Sequence, residues 1–345
     1  MSKMITVKKY IALTLIMVLV STGISLFFEA RAKAANVVVC IDPGHGGSNL
    51  GAHYYGKYEK DQTLVIAMAM YEELTKYDNI TVVMTRTDDS ELSLGQRAQI
   101  AADAGAEFLY SIHLNASEEH KFYGAEVLTS GFGTYYSRGQ IFGQIVLDEL
   151  SSQCGIYTRK GAKCRLSDKG QDYYGVINNS VKNDVVGVII EHCHMDVNED
   201  YIYWRDEQAL KKLGVADATA VAKYYGLKSS ELAVDYSDYI PYAVPVPDQT
   251  MGHDLTEPDY CNVILLSYED NVASFEITAD DIDNGICYYS YSKDGGQSWS
   301  RLFIWSEDKA LSTNIYLPSG GEYDVMVRAY NYYQIYTESN LVRVK

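Results

Sequence analysis

Val37-Val38-Val39-Cys40-Ile41-Asp42-Pro43-Gly44-His45-Gly46-Gly47 is the stretch whose reading sets the architecture of the first two thirds of the chain. Five consecutive apolar residues, three of them valine, predict a buried β-strand. The glycines around His45 let the backbone turn sharply and leave the imidazole at the strand's C-terminal edge, where open α/β sheets build their sites. A glycine-rich turn can also cradle phosphate, but the Lys-Ser/Thr pair and the spacing of a P-loop are missing.

Outward from this strand, short apolar runs alternate with amphipathic stretches. Leu64, Ala67, Met68, Tyr71 and Leu74 recur at helical spacing and predict a helix over 62–76. Further strands are expected at 81–85, 108–114 and 185–193, and further helices at 94–102, 140–150 and 210–225. This is an α/β domain over residues 36–227, a mixed central sheet flanked by helices. Four of the six prolines, at 241, 245, 247 and 258, fall in a stretch without periodicity, read as a linker over 228–260. Beyond it, seven short strands are expected within 261–345, a count that suits a β-sandwich. Leu317-Pro318 followed by Tyr323, Val325, Val327 and Ala329 resembles the tyrosine-corner region of fibronectin type III modules. Ser292 to Trp299 fits the Asp-box pattern, physically a hairpin turn with Asp294 capping main-chain amides.

At the N-terminus, Lys8 and Lys9 precede an apolar run and then small residues up to Ala35, the order of a secretory signal peptide over 1–35. An uncleaved anchor is the alternative, and the signal segment is the only contact with a membrane that is expected. The net charge of −17 is concentrated in the C-terminal third. Such acidity disfavours nucleic acid as a partner, because phosphate binding needs lysine and arginine. Six cysteines contain no CxxC pair. Cys40 and Cys193 read as buried thiols, while Cys154 with Cys164 and Cys261 with Cys287 are open as local pairs.

Glu59 stands just before a predicted helix, and His113 near the end of Leu109-Tyr110-Ser111-Ile112-His113. With His45 they offer two imidazoles and one carboxylate, a ligand set for one catalytic zinc ion that keeps a fourth position open. A lone histidine at a strand end is more often structural, so the weight lies in the combination. Here the chain resembles the zinc-dependent N-acetylmuramoyl-L-alanine amidases of the AmiC and CwlV type, whose domain has a phosphorylase/hydrolase-like mixed sheet. The resemblance is carried by 39–47, by Gly56-Lys57-Tyr58-Glu59-Lys60, by Leu94-Gly95-Gln96-Arg97, by Ser111-Ile112-His113-Leu114-Asn115-Ala116 and by Val188-Ile189-Ile190-Glu191.

The resemblance implies His45, Glu59 and His113 as zinc ligands and Glu191 as general base, taking a proton from the attacking water and giving it to the leaving amine. It implies an enzyme that acts on peptidoglycan in the bacterial cell wall; the signal segment adds the expectation of export, and a monomer is expected. An ion pair between Glu191 and Arg97 is the bland alternative for that glutamate. Arg97 and Asn115 are candidates for substrate contact or for orienting a ligand. His192 and His194, alternating with Glu191 along the strand, are expected to face away from it, and Cys193 to share its face. Two rival functions stand beside the amidase: a zinc peptidase cutting the stem peptide, and a non-catalytic wall-binding protein in which the tyrosine-rich sandwich does the work.

Overall fold

The computed structural model describes residues 36–159 and 161–345; the expected signal segment 1–35 lies outside the described residues. Six strands form the first sheet: β1 (Val37–Pro43), β2 (Ile80–Met84), β3 (Phe108–Asn115), β4 (Glu126–Thr129), β5 (Lys163–Cys164) and β6 (Val186–His194). Their order across the sheet is β2-β1-β3-β6-β4-β5. β1 runs parallel to β2 and β3, and β3 parallel to β6, whereas β4 is antiparallel to β6. The sheet is therefore mixed.

Six helices cover it: α1 (Glu59–Leu74), α2 (Leu94–Asp103), α3 (Gly133–Glu149), α4 (Gly175–Lys182), α5 (Asn198–Trp204) and α6 (Glu207–Tyr225). Because strand side chains alternate, the apolar runs serve two cores at once. Val39, Ile41, Tyr110, Val188 and Ile190 pack with Ile66 and Met70 of α1, Phe142 of α3 and Leu213 of α6. On the other face, Cys40, Leu109 and Ile189 pack with Ala101 of α2 and with Val176 and Ile177 of α4. Local signals fix the helix ends. Ser93 and Gln96 make a reciprocal capping box before α2, Asp206 caps α6 through Ala209 N, and Gly226 stops α6 at φ 64°.

Two elements start earlier than the hydrophobic pattern indicates. α1 begins at Glu59 because its first turn is polar yet buried: Glu59 faces the site, and Thr63 Oγ1 donates to Gly44 O at 2.9 Å. α3 begins at Gly133, through glycine, threonine and serine that read as loop. β4, α4 and α5 were not anticipated at all.

The C-terminal region is all β, with antiparallel sheets. It holds β7 (Tyr260–Glu269), β8 (Val272–Asp280), β9 (Ile286–Ser292), β10 (Phe303–Ile304), β11 (Ala310–Tyr316), β12 (Tyr323–Asn331), β13 (Tyr336–Glu338) and β14 (Val342–Val344). One sheet has the order β7-β8-β11 and the other β10-β9-β12-β13, with β14 pairing β12. Val263, Phe275, Ile277 and Ile315 of the first meet Tyr289, Val325 and Val327 of the second around Trp305. In the Asp-box turn, Asp294 accepts from Ser298 N at 2.9 Å, and Gly295 and Gly296 take φ 72° and 89°.

The proline-rich stretch is not a free tether. Tyr236, Tyr239 and Val244 pack on the first core, and Met251 N donates to Gly131 O at 2.8 Å. The sandwich itself is seated on the α/β unit: Phe122 shares a cluster with Cys287, Tyr288, Leu302 and Tyr330. Tyr157 OH donates to Cys287 O at 2.9 Å and Tyr333 OH to Cys164 O at 3.2 Å. All six cysteines are free thiols, so neither local pair forms. Among the described residues no helix is long and apolar enough to cross a membrane.

Candidate metal centre

The C-terminal ends of β1, β3 and β6 lie side by side, with Pro43 in register with Ile112 and His113 with Glu191. His45 follows β1 in the left-handed region, at φ 61°, an uncommon conformation for a residue with a side chain. It is held by the turn after it, where Gly46 and Asn49 exchange main-chain hydrogen bonds. Glu59 opens α1 and reaches across to both histidines: Oε2 lies 2.9 Å from His45 Nε2 and Oε1 3.0 Å from His113 Nδ1. Ala52 N and Leu114 N donate to the same two oxygens at 2.9 and 3.1 Å. Potential ligand atoms of the three residues lie within 4.8 Å of one another, the one such group of three or more among the described residues.

Two glycines make room for this cluster. A Cβ on Gly44 would fall 2.3 Å from His113 Cε1, and one on Gly51 would fall 2.5 Å from Glu59 Oε2. Asn49, which the sequence reading passed over, places Oδ1 2.9 Å from His45 Nδ1. An amide oxygen there accepts the Nδ1 hydrogen and leaves Nε2 free to ligate, the usual arrangement around a metal-bound imidazole. A cleft of about 700 Å³ opens beside the cluster, lined by His45, Asn49, Leu94, Gln96 and His113 among others.

Arg97 does not meet Glu191. Its guanidinium is buried and donates to Asp42 Oδ1 at 2.7 Å, to Pro43 O at 2.8 Å and to His45 O at 2.6 Å. Asp42 also accepts from Thr85 and Ser111, so the charge pair ties β1, β2 and β3 together under the turn that carries His45. Arg86, another residue the sequence reading missed, adds bonds to Pro43 O and Gly44 O. Asn115 points along the sheet, its Nδ2 donating to Glu126 Oε1 at 2.7 Å.

Glu191 ends the apolar run of β6, and its Oε2 is buried without accepting a hydrogen bond. Burial first, and then the charges of Glu59 and Glu126, push its carboxyl well above the usual glutamate range. Glu126 lies directly opposite on β4 and is driven the other way. Burial opposes ionisation there too, but the cations of Arg159, 2.5 Å away, and Lys163 hold it well below the usual range. In Glu59, burial is outweighed by the hydrogen bonds and charges of the two histidines, and the carboxylate stays ionised. An anionic oxygen pair between two imidazoles, next to an unpartnered buried carboxyl oxygen, fits a divalent cation with N and O ligands.

The pleat prediction holds for His192 but not for Cys193. Between His113 and Asn115 the register of β3 against β6 shifts from Glu191 to His194, a bulge on β6. Past it, Cys193 belongs to the core that contains Val188, Ile190 and Trp204 and is not a member of the metal-ligand group.

Similarity to known proteins follows the α/β unit. The chain is 46% identical over 81 residues to the N-acetylmuramoyl-L-alanine amidase CwlM of Bacillus licheniformis, covering 23% of this chain and 32% of that protein. It is 31% identical over 140 residues to the germination-specific N-acetylmuramoyl-L-alanine amidase of Bacillus subtilis, covering 36% and 57%. It thus spans from about a third to a little more than half of these relatives. Among solved structures, Cwp6 from Clostridium difficile matches 56% of this chain and 30% of its own, at 28% identity and a TM-score of 0.51. Residues 39–223, more than half of the chain, match the family described as N-acetylmuramoyl-L-alanine amidase, and the chain belongs to that family.

Proposed function

We propose that the protein is a zinc-dependent N-acetylmuramoyl-L-alanine amidase that hydrolyses the amide bond between N-acetylmuramic acid and L-alanine in bacterial peptidoglycan. The observation that carries the reading is the Glu59 carboxylate fixed between His45 and His113 at the mouth of an open cleft, with the Glu191 carboxyl beside it. His45, Glu59 and His113 would hold one zinc ion. When bound, zinc polarises a carbonyl and brings the pKa of a water to around 7.

The remaining work falls to the chain. Glu59 is ionised and rigid, held by two main-chain amides, so the ligand set is formed before metal arrives. Asn49 sets the tautomer of His45. The surroundings of Glu191 raise its affinity for a proton, so its ionised carboxylate, the form a cation in the neighbouring cluster would favour, is a strong base suited to take a proton from the attacking water and then pass it to the departing alanine nitrogen. Arg97 and Asn115 act from behind, Arg97 on the turn bearing His45 and Asn115 through Glu126. Neither is assigned to substrate.

In this reading residues 1–35 are the export signal, 36–227 the catalytic domain, 228–260 a linker and 261–345 a fibronectin type III-like sandwich. The enzyme works as a monomer outside the cell, at the wall; relatives carry amidase names, one of them a probable cell wall amidase of Staphylococcus aureus. The test is metal analysis of the purified protein together with hydrolysis of purified peptidoglycan. The reading expects one zinc per chain, loss of hydrolysis on chelation and recovery with added zinc. Undiminished hydrolysis by metal-free protein would overturn it.

A further inference from the structure

His192 is wholly buried, and both of its ring nitrogens are engaged. Nδ1 lies 3.0 Å from the main-chain oxygen of His113, and Nε2 lies 2.8 Å from Asp217 Oδ2 on α6. A carbonyl oxygen only accepts, so Nδ1 carries a hydrogen and donates it. The contact falls at the bulge where β3 and β6 change register, one step past the pairing of His113 with Glu191. There the side chain of the residue following Glu191 ties back to the residue that carries the candidate ligand.

Asp217 has no other evident task. It is fully buried in mid-helix between Ala216 and Ala218, and its Oδ1 has no hydrogen-bond partner. A buried carboxylate and imidazole are no more stabilising than apolar side chains of similar volume, and often less. Stability alone therefore gives no reason for the pair. Its geometry does, because a bulged strand end left to itself would allow the His113 main chain to shift, and metal sites depend on residues that hold their ligands in place.

We propose that His192, braced by Asp217, is a positioning residue that anchors the His113 main chain, and so fixes the His113 ring for zinc and the adjoining Glu191 beside it. The proposal rests on the zinc reading of His45, Glu59 and His113. It concerns hydrogen bonds made by this chain, and no proton transfer through His192 is required.

The experiment uses the full chain as wild type, His192→Leu and the double variant His192→Leu/Asp217→Leu. Each is titrated with zinc against a chromogenic chelator, and the thermal midpoint of each metal-free protein is measured in parallel. The single variant strands a buried carboxylate and loses both stability and zinc affinity. The double variant removes that carboxylate, so its metal-free midpoint recovers, while zinc affinity stays roughly 10- to 100-fold below wild type. Should the single variant not fold, the double variant supplies the same comparison. Wild-type affinity in the double variant overturns the proposal and leaves the pair a purely structural feature. Wild-type protein that takes up no zinc overturns the metal centre itself, and the proposal with it.

Discussion

Glu191 and Glu126 sit in register on neighbouring strands, and their carboxyl groups are driven apart in acidity. For Glu191 the consequence in the metal-free protein has a definite sign. The folded state keeps a proton that the unfolded chain loses near pH 4.5, so stability falls as pH rises from that value towards the raised one. Glu191→Gln removes this penalty. Its metal-free thermal midpoint should exceed that of wild type at pH 7, the two should converge near pH 4, and hydrolysis by the zinc-loaded variant should drop by roughly 10²- to 10⁴-fold. Equal midpoints at pH 7 would show that Glu191 ionises freely. At Gly44, alanine would drive a methyl into the His113 ring, and a titration should show weakened zinc binding with the ligands themselves intact. The three residues of the candidate metal cluster and Glu191 were legible as candidates because each lies at or beside the end of an element that periodicity reveals. Asn49 and Glu126 were not, since one lies in an unpatterned loop and the other in a four-residue strand whose partners come from distant parts of the chain.

Among the elements, β1 and α2 are coupled by the buried Arg97–Asp42 pair. Sequence reading weighed Arg97 as a substrate contact or as a partner for Glu191, and nothing local indicated that it would turn to Asp42, 55 positions away. Arg97→Met leaves the buried Asp42 carboxylate without its cation and the His45 carbonyl without its donor, and should cost about 3–5 kcal/mol in chemical denaturation. A change under 1 kcal/mol would mean that Thr85 and Ser111 suffice for Asp42. Long periodic elements such as β1, β3, β6 and α6 were readable to within a few residues. α4 was not, because Asn178, Asn179 and Ser180 are poor helix formers and the helix exists by docking Val176 and Ile177 on the sheet. The bulge in β6 was likewise invisible, being a property of how two strands meet.

For the whole molecule, the sequence separated two textures joined by a proline-containing linker. The structure instead joins them through a tyrosine-rich seam. Tyr288 packs with Phe122 and lies under the Arg159 guanidinium, 5.6 Å from its ring, and Arg159 in turn pairs with Glu126 beside Glu191. The sandwich thus reaches the neighbourhood of Glu191 through two side chains. Tyr288→Ala should destabilise the full chain by about 3 kcal/mol, on the scale of other buried aromatic truncations, and calorimetry of the wild type should give one cooperative transition. Two well-separated wild-type transitions would contradict a shared seam. Composition could not disclose this contact, because tyrosines that fill a sandwich, stack on sugars or seal an interface look alike in sequence. The central claim, zinc-assisted hydrolysis at the lactyl end of the stem peptide, is tested most directly by mass spectrometry of a defined muropeptide digested with the zinc-loaded enzyme. The account predicts an intact free stem peptide beginning with L-alanine and a glycan bearing a free lactyl carboxylate. Shortened stems still attached to glycan, or an unchanged substrate, would contradict it.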